Sequence, residues 1–328
     1  QIDEALVLSA REKIEKEPNY SYAAARLLLN NLYKEAFREG VDSDILELQY
    51  KKVFVQNIKK LIKAGRLNPK LETFDLKKLS ESLKTERDKE FKYLGIQILY
   101  DRYFIREDSK VMESPQGFWM RVAMGLALNE KNKDERAIEF YNLISSLLYT
   151  PSTPTLFNSG TIRSQLSSCY LSTFDDSIDG IFDGAWQEAR KSKYAGGLGL
   201  DVTPFRSTGA HIQGTNGISS GLVPWLKIYN DLLVAVNQGG KRPGAGCAYL
   251  EPWHLDYEEF LNLRRNTGDD RLRCHDLNSA SWIPDAFMRA VKAEADWYMF
   301  DPSECTDLHD LFGTKFDLKY KKYCARAD

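Results

Sequence analysis

The chain of 328 residues is longer than the roughly 250–300 at which a single hydrophobic core stops growing, so it is read as two domains or one large one. With 43% hydrophobic and 28% charged residues and no apolar run near the roughly 18 needed for a span, it excludes a membrane helix, and its start does not resemble a signal peptide. Lys plus Arg at 45 against Asp plus Glu at 47 leaves a net charge of −2, which excludes wrapping a nucleic acid and requires any anionic ligand to be held by a local site.

Up to residue 150 the chain reads as helices. "YSYAAARLLLNNLYKEAF" places Tyr20, Ala24, Leu27, Leu28 and Leu32 near helical spacing, and "SPQGFWMRVAMGLAL" opens with Ser114 as a candidate N-cap and Pro115 in the first turn. A third segment, "DERAIEFYNLISSLLY", is expected to be capped by Asp134 and to align Ile138, Tyr141, Ile144 and Leu148 on one face. These residues, 1–150, form a helical domain with no evident chemistry.

The grammar changes near "YTPSTPTLFNSG", and residues 151–328 alternate short strands with helices. In order come "SSCYLSTF", a helix through "IDGIFDGAWQEARKSKY", "GLGLDVTPF", a helix "PWLKIYNDLLVAV", "GAGCAYLEPW", a helix "YEEFLNLRRN" and "NSASWIPD". Strand, helix, strand in regular order predicts an α/β architecture of parallel strands with helical crossovers, with ligands at the loops beyond the strands' carboxyl ends.

Three loops stand out. Asn237 to Gly246 carries Gly239, Gly240, Gly244 and Gly246 with Lys241 and Arg242, suited to a phosphate or a nucleobase but equally to a plain turn; it is neither a Walker loop nor a dinucleotide fingerprint. "RSTGAHIQGTNGISSG" reads as a long loop after Arg206, and Asp175, Asp176 and Ser177 as a helix N-cap that also exposes anion-attracting N–H groups. Glycines 196 to 199 read as a helix C-cap running into a strand.

The five cysteines include no Cys-x-x-Cys pair and no histidine at zinc-ligand spacing, so no metal site is expected and the thiols fit a reducing, cytoplasmic setting. Taken alone, Cys169 is a small buried hydrophobe, His254 and His275 are packed or capping residues, and Trp225 and Tyr229 belong to a core or an interface.

In sequence and order, "PNYSYAAARLLL", "TPTLFNSG", "LSSCYL", "DDSIDGI", "YAGGLG", "RSTGAHI", "NQGGKRPGAG", "YLEPWHLDYEEFLNLRRNTGDD" and "LNSASWIPD" together resemble the catalytic large subunit of class I ribonucleotide reductase. The resemblance implies a helical domain followed by the first half, five parallel strands, of a ten-stranded α/β barrel. It also implies reduction of ribonucleoside diphosphates to deoxyribonucleotides by thiyl-radical chemistry, the radical coming from a metal-containing small subunit.

Carried over residue by residue, the resemblance makes Cys169 one of the two reducing cysteines, recycled by thioredoxin or glutaredoxin. Thr155, Ser168 and Gly197 become substrate contacts, with Gly197 offering a backbone donor beside the phosphate or ribose. Asp176, Ser177 and Ile178 match the turn that holds the ribose and base of a deoxynucleoside triphosphate or ATP effector; Arg206 matches its phosphate contact, with Ile212 nearby. Gln238, Lys241 and Arg242 match the segment that relays effector identity to the substrate, and the helices after Ser177 and at 224–236 match a homodimer interface.

The family's N-terminal ATP-cone and the half of the barrel that carries the radical cysteine and the partner of Cys169 are not recognisable in the sequence. The expectation is therefore an N-terminal part of the large subunit that works with a complementary C-terminal segment and binds no cofactor of its own. Two alternatives remain open at this point: a fragment of the cobalamin-dependent class, and a non-catalytic nucleotide-binding regulatory module.

Overall fold

The computed structural model describes residues 2–38, 40–42, 44–194, 196–236 and 243–327. They form two compact units, Gln1–Ser167 and Ser168–Asp328.

The first unit is helical: α1 (Ile2–Arg11), α2 (Tyr20–Phe37), α3 (Leu46–Lys63), α4 (Leu76–Glu81), α5 (Tyr93–Ile98), α6 (Pro115–Ala127), α7 (Lys133–Ser145) and α8 (Thr153–Asn158), with a short hairpin of β1 (Arg106–Glu107) and β2 (Lys110–Val111). Helix α6 is its axis. Phe118, Trp119, Met120, Val122, Ala123 and Met124 are all buried, so this helix is apolar around its whole circumference, as a core helix must be. Its one charge, the fully buried Arg121, is neutralised by Glu113 (Nε to Oε1, 2.8 Å) and donates to the carbonyls of Leu156 and Ser159 at 3.2 and 2.7 Å.

Those carbonyl contacts move the division between units. Residues after 150 are tied to the helices by Arg121, and also by the amide of Asn68 donating to Gly160 O (2.9 Å), so the units part at Ser167/Ser168 rather than at 150/151. Ser114 stands at the N-cap position of α6 without a side-chain capping bond. Asn132, not Asp134, precedes α7; Asp134 lies in its first turn and accepts from the amide of Asp75. Helix α7 ends at Ser145, leaving Leu148 outside the face on which Tyr141 and Ile144 are buried.

The second unit holds β3 (Cys169–Thr173), α9 (Ile178–Lys193), β4 (Gly197–Asp201), a hairpin of β5 (Thr208–Ile212) and β6 (Gly217–Ser220), α10 (Val223–Ala235), β7 (Gly246–Leu250), α11 (Tyr257–Leu261), β8 (Asn278–Ser281), α12 (Asp285–Lys292) and α13 (Gly313–Ala327). Strands β3, β4, β7 and β8 lie side by side in that order, every pair parallel, with α9, α10 and α11 in the connections. Four of the five expected barrel strands are thus formed among the described residues. A further parallel contact, between His254 and Phe300, remains a single bridge.

Side chains alternate across this sheet. One face turns Leu198, Leu200, Ala248 and Leu250 into a core shared with α9 and α10. The register puts Cys169 beside Gly197, Leu171 beside Gly199 and Cys247, and Thr173 beside Asp201 and Tyr249, all on the opposite face. Cys169, Leu171 and Thr173 are exposed there. The segment after Arg206 is not a plain loop but the antiparallel hairpin β5–β6, bulged between Thr208 and His211.

Candidate functional site

Ser168 immediately precedes β3, Cys169 opens it, and Gly197 opens β4 directly beside Cys169. The Cys169 thiol lies 3.7 Å from Ser168 Oγ. A methyl group on Gly197 would rest 3.7 Å from the same sulfur, so the bare glycine keeps that side of the thiol open. The Gly197 N–H donates to Ser168 O at 2.7 Å. It is committed to the strand pairing and is not the free donor expected of it.

Accessibility separates the five thiols. Cys169 is exposed, whereas burial pushes Cys274 and Cys305 up to about 11, out of reach of thiolate chemistry at neutral pH. Cys247 shares the sheet face with Cys169 but sits two strands away, a lateral offset of about 10 Å at the usual strand spacing, beyond the Cα separation a disulfide bridges. Thr155, in α8 of the first unit, donates its hydroxyl to Leu166 O at 3.1 Å, which leaves its oxygen as an acceptor.

At the other end of β3 lies a second cluster. Ser177 caps α9, its Oγ accepting from the amide of Gly180 at 3.0 Å, as the sequence predicts, and Ile178 begins the helix with its side chain exposed. Arg206 Nε donates to Asp176 Oδ2 at 2.6 Å, and its Nη2 to Asp176 O at 3.3 Å. From Arg206 the chain enters the hairpin, which lines an open cleft of about 980 Å³ with Ile212 on its wall and Phe300, Asp301 and Glu304 opposite. The structure therefore places Arg206 and Ile212 on the cleft and ties Arg206 to the turn of Asp176, Ser177 and Ile178, while Ser168, Cys169 and Gly197 lie at the amino ends of β3 and β4. The strand–helix order predicts ligands beyond the carboxyl ends of the strands; the paired starts of β3 and β4 put these three residues at the other end. Gln238, Lys241 and Arg242 lie outside the described residues.

The hairpin is held from below by residues without an evident signal in the sequence. Asp256, buried, accepts from the amide of Thr208 with both oxygens (3.0 and 3.1 Å) and from the amide of Leu222 with Oδ2 (2.9 Å). The amide of Asp256 donates to His254 Nδ1 at 3.0 Å, so the imidazole carries its proton on Nε2 and donates to Phe205 O at 2.8 Å. Burial holds His254 below its ordinary range, in keeping with this neutral tautomer and with the packed role expected of it. Among the described residues no cluster of three or more His, Cys, Asp or Glu side chains could hold a metal, and no helix is long and apolar enough to cross a membrane.

Two family models match in tandem, the ribonucleotide reductase all-alpha domain over residues 89–164 and the ribonucleotide reductase barrel domain over residues 167–328. The ribonucleoside-diphosphate reductase subunit alpha of Chlamydia muridarum is 52% identical over 99% of this chain, which corresponds to 31% of that protein. Subunit alpha of Helicobacter pylori is 42% identical over 98% of the chain, and the large subunit of Danio rerio 41% over 98%, each match covering 40% of the relative. The chain thus spans between 31% and 40% of the length of these relatives. A helical unit and a parallel-stranded unit that part within a few residues of where the two models meet, matched end to end by relatives of one kind, place the chain in the ribonucleotide reductase large-subunit family.

Proposed function

We propose that these residues form the reducing-thiol strand and the effector-specificity site of a ribonucleoside-diphosphate reductase, working within a large subunit supplied with a radical by a metal-containing small subunit. The observation that carries the reading is the Cys169 thiol, exposed on the open sheet face beside a side-chain-free Gly197 and Ser168 Oγ. The relatives' names favour a diphosphate reductase over a cobalamin-dependent enzyme or a silent nucleotide-binding module.

In this reading Ser168 and Gly197 hold the ribonucleoside diphosphate with its 2′ carbon toward Cys169. The substrate's 2′-hydroxyl leaves as water, C2′ gains hydrogen, and Cys169 with a second thiol of the large subunit closes to a disulfide. An external dithiol, thioredoxin or glutaredoxin, reopens that disulfide by exchange, which requires an accessible sulfur. Asp176, Ser177 and Ile178 take the base and ribose of a deoxynucleoside triphosphate or ATP effector. Arg206 and Ile212 line the cleft for its phosphates, and the segment with Gln238, Lys241 and Arg242 relays its identity. An apolar stripe along α9 supports a homodimer.

The test uses the complete large subunit with its radical-generating partner. In Cys169→Ser, multiple-turnover reduction with thioredoxin should fall by roughly 100-fold or more, while deoxynucleoside triphosphate binding stays within about twofold. Sustained turnover by the variant would remove Cys169 from the redox pair.

A further inference from the structure

The β5–β6 hairpin buries few of its residues and is crossed by side-chain contacts between His211 Nε2 and Asn216 Oδ1 (3.0 Å) and between Thr208 Oγ1 and Ser220 O (3.5 Å). Its register breaks between Thr208 and His211, Ile218 is exposed, and of its residues only Ala210 and Ser219 are buried. Two-stranded ribbons of this kind are marginal in water. What fixes it lies at its base, where a single carboxylate receives both legs: Thr208, entering β5, gives Asp256 its amide and, at 3.3 Å, its hydroxyl, and Leu222, just past β6, gives its amide. The packing there leaves no slack. Gly221 adopts a φ of +77°, and a methyl group on it would fall 2.0 Å from Thr208 Oγ1 and 2.5 Å from Asp256 Oδ2.

The same node reaches the residue before Arg206. His254 joins the Asp256 amide to Phe205 O, and Asp301 Oδ1 accepts from the amides of Ser207 (3.4 Å) and Ser303 (2.9 Å). Arg206 is thus flanked by anchored neighbours on both sides, while its own guanidinium is turned to Asp176.

We propose that Asp256, steadied by His254, is a positioning residue that clamps both legs of the hairpin and so presents Arg206 and Ile212 to the effector in one fixed geometry. The inference rests on the reading of this cleft as the effector site. It adds that effector affinity depends on a buried carboxylate that does not itself touch the effector. Charge-assisted bonds from backbone amides to a carboxylate are well suited to the task, because they fix main chain rather than side chains.

The experiment is carried out on the complete large subunit. Asp256→Asn preserves shape but sets an amide donor against at least one of the donating N–H groups. Hydrogen exchange at the Thr208 and Leu222 amides should accelerate, protection at Leu198 and Leu200 in β4 should hold, and half-saturation by a deoxynucleoside triphosphate should rise by about tenfold or more. Gly221→Ala, which drives a methyl into the same node, should reproduce all three effects. Unchanged half-saturation despite faster exchange at Thr208 and Leu222 would overturn the proposal, as would an equal loss of protection in β4, which would make Asp256 a general stability residue. Arg206→Ala serves as the separate control: if the wild type binds the triphosphate and Arg206→Ala binds it equally well, the effector-site reading fails, while the exchange data still report whether the clamp exists.

Discussion

Two buried carboxyl groups show how neighbours help to decide protonation. Asp88, in the core of the helical unit, accepts from the hydroxyls of Tyr33 and Tyr50 and from Gln116 Nε2; burial raises it, those three donors pull it back, and it settles at about 6. Among the described residues the Glu251 carboxyl, after β7, accepts from Trp253 Nε1 (2.6 Å) and has Asp201 nearby, and burial pushes it further, to about 8. At neutral pH Glu251 is therefore the protonated one. A carboxyl whose folded value lies above its unfolded value of 4.5 stabilises the fold fully below that value and loses the contribution as pH rises to its folded one. Stability should decline between pH 4.5 and about 8 and level off above, with a slope from this group of at most about 1.4 kcal/mol per pH unit. Thermal unfolding of Glu251→Gln across that range checks the sign: the variant should gain on the wild type as pH rises, and a pH-independent difference between them would mean that Glu251 is ionised throughout.

Elements differed in how far the sequence disclosed them. Helices α2, α6 and α7 follow from the sequence because α2 and α7 bury one face, and α6 nearly all of its residues, against a large core, while β3 follows from its alternation of exposed and half-buried residues. The hairpin β5–β6 did not, since its Gly, Ser, Thr and Asn content is that of a loop and its order comes from Asp256, 48 residues beyond Thr208 and 34 beyond Leu222. Cys169 and Arg206 were legible only through the order of neighbouring motifs, because composition alone makes one an ordinary apolar residue and the other an ordinary surface charge. Close packing of α9 was also hidden: Gly184 reads as a weak helix residue, yet a methyl group there would lie 2.4 Å from the Phe174 ring and 3.0 Å from the Tyr229 hydroxyl. Helix α9 needs this glycine to lie against the end of β3 and against α10. Gly184→Ala, favourable by helix propensity, should instead destabilise by about 1–3 kcal/mol through overpacking. Urea unfolding monitored by tryptophan fluorescence decides between the two, and a stabilised variant would show that Phe174 can move aside.

At the scale of the molecule, α9 has two faces with different duties. Ile181, Gly184, Ala185, Glu188 and Ser192 are buried against the sheet, whereas Ile178, Phe182 and Trp186 stand outward at successive i, i+4 positions with 67%, 51% and 65% of their surface exposed. Phe182 packs T-shaped with Trp225 on α10, ring centroids 6.4 Å apart, which widens the stripe. An aligned stripe of large apolar side chains on one helix is the kind of surface that a two-fold partner covers with its own copy of the same patch. The stripe also begins at the turn holding Asp176 and Ser177, so the proposed dimer contact and the proposed effector site share one helix end. Placing a charge in the stripe separates these roles from folding, because Trp186 contributes little to the core of its own subunit. Trp186→Glu should weaken the homodimer by at least about 30-fold, as loss of a central tryptophan anchor costs about 2 kcal/mol or more. Sedimentation velocity over a dilution series measures this directly, and effector half-saturation should rise in the same concentration range where dimers are lost. A variant that dimerises as tightly as the wild type would place the interface elsewhere, and one that loses dimers but binds effector unchanged would show that the site is complete within one subunit.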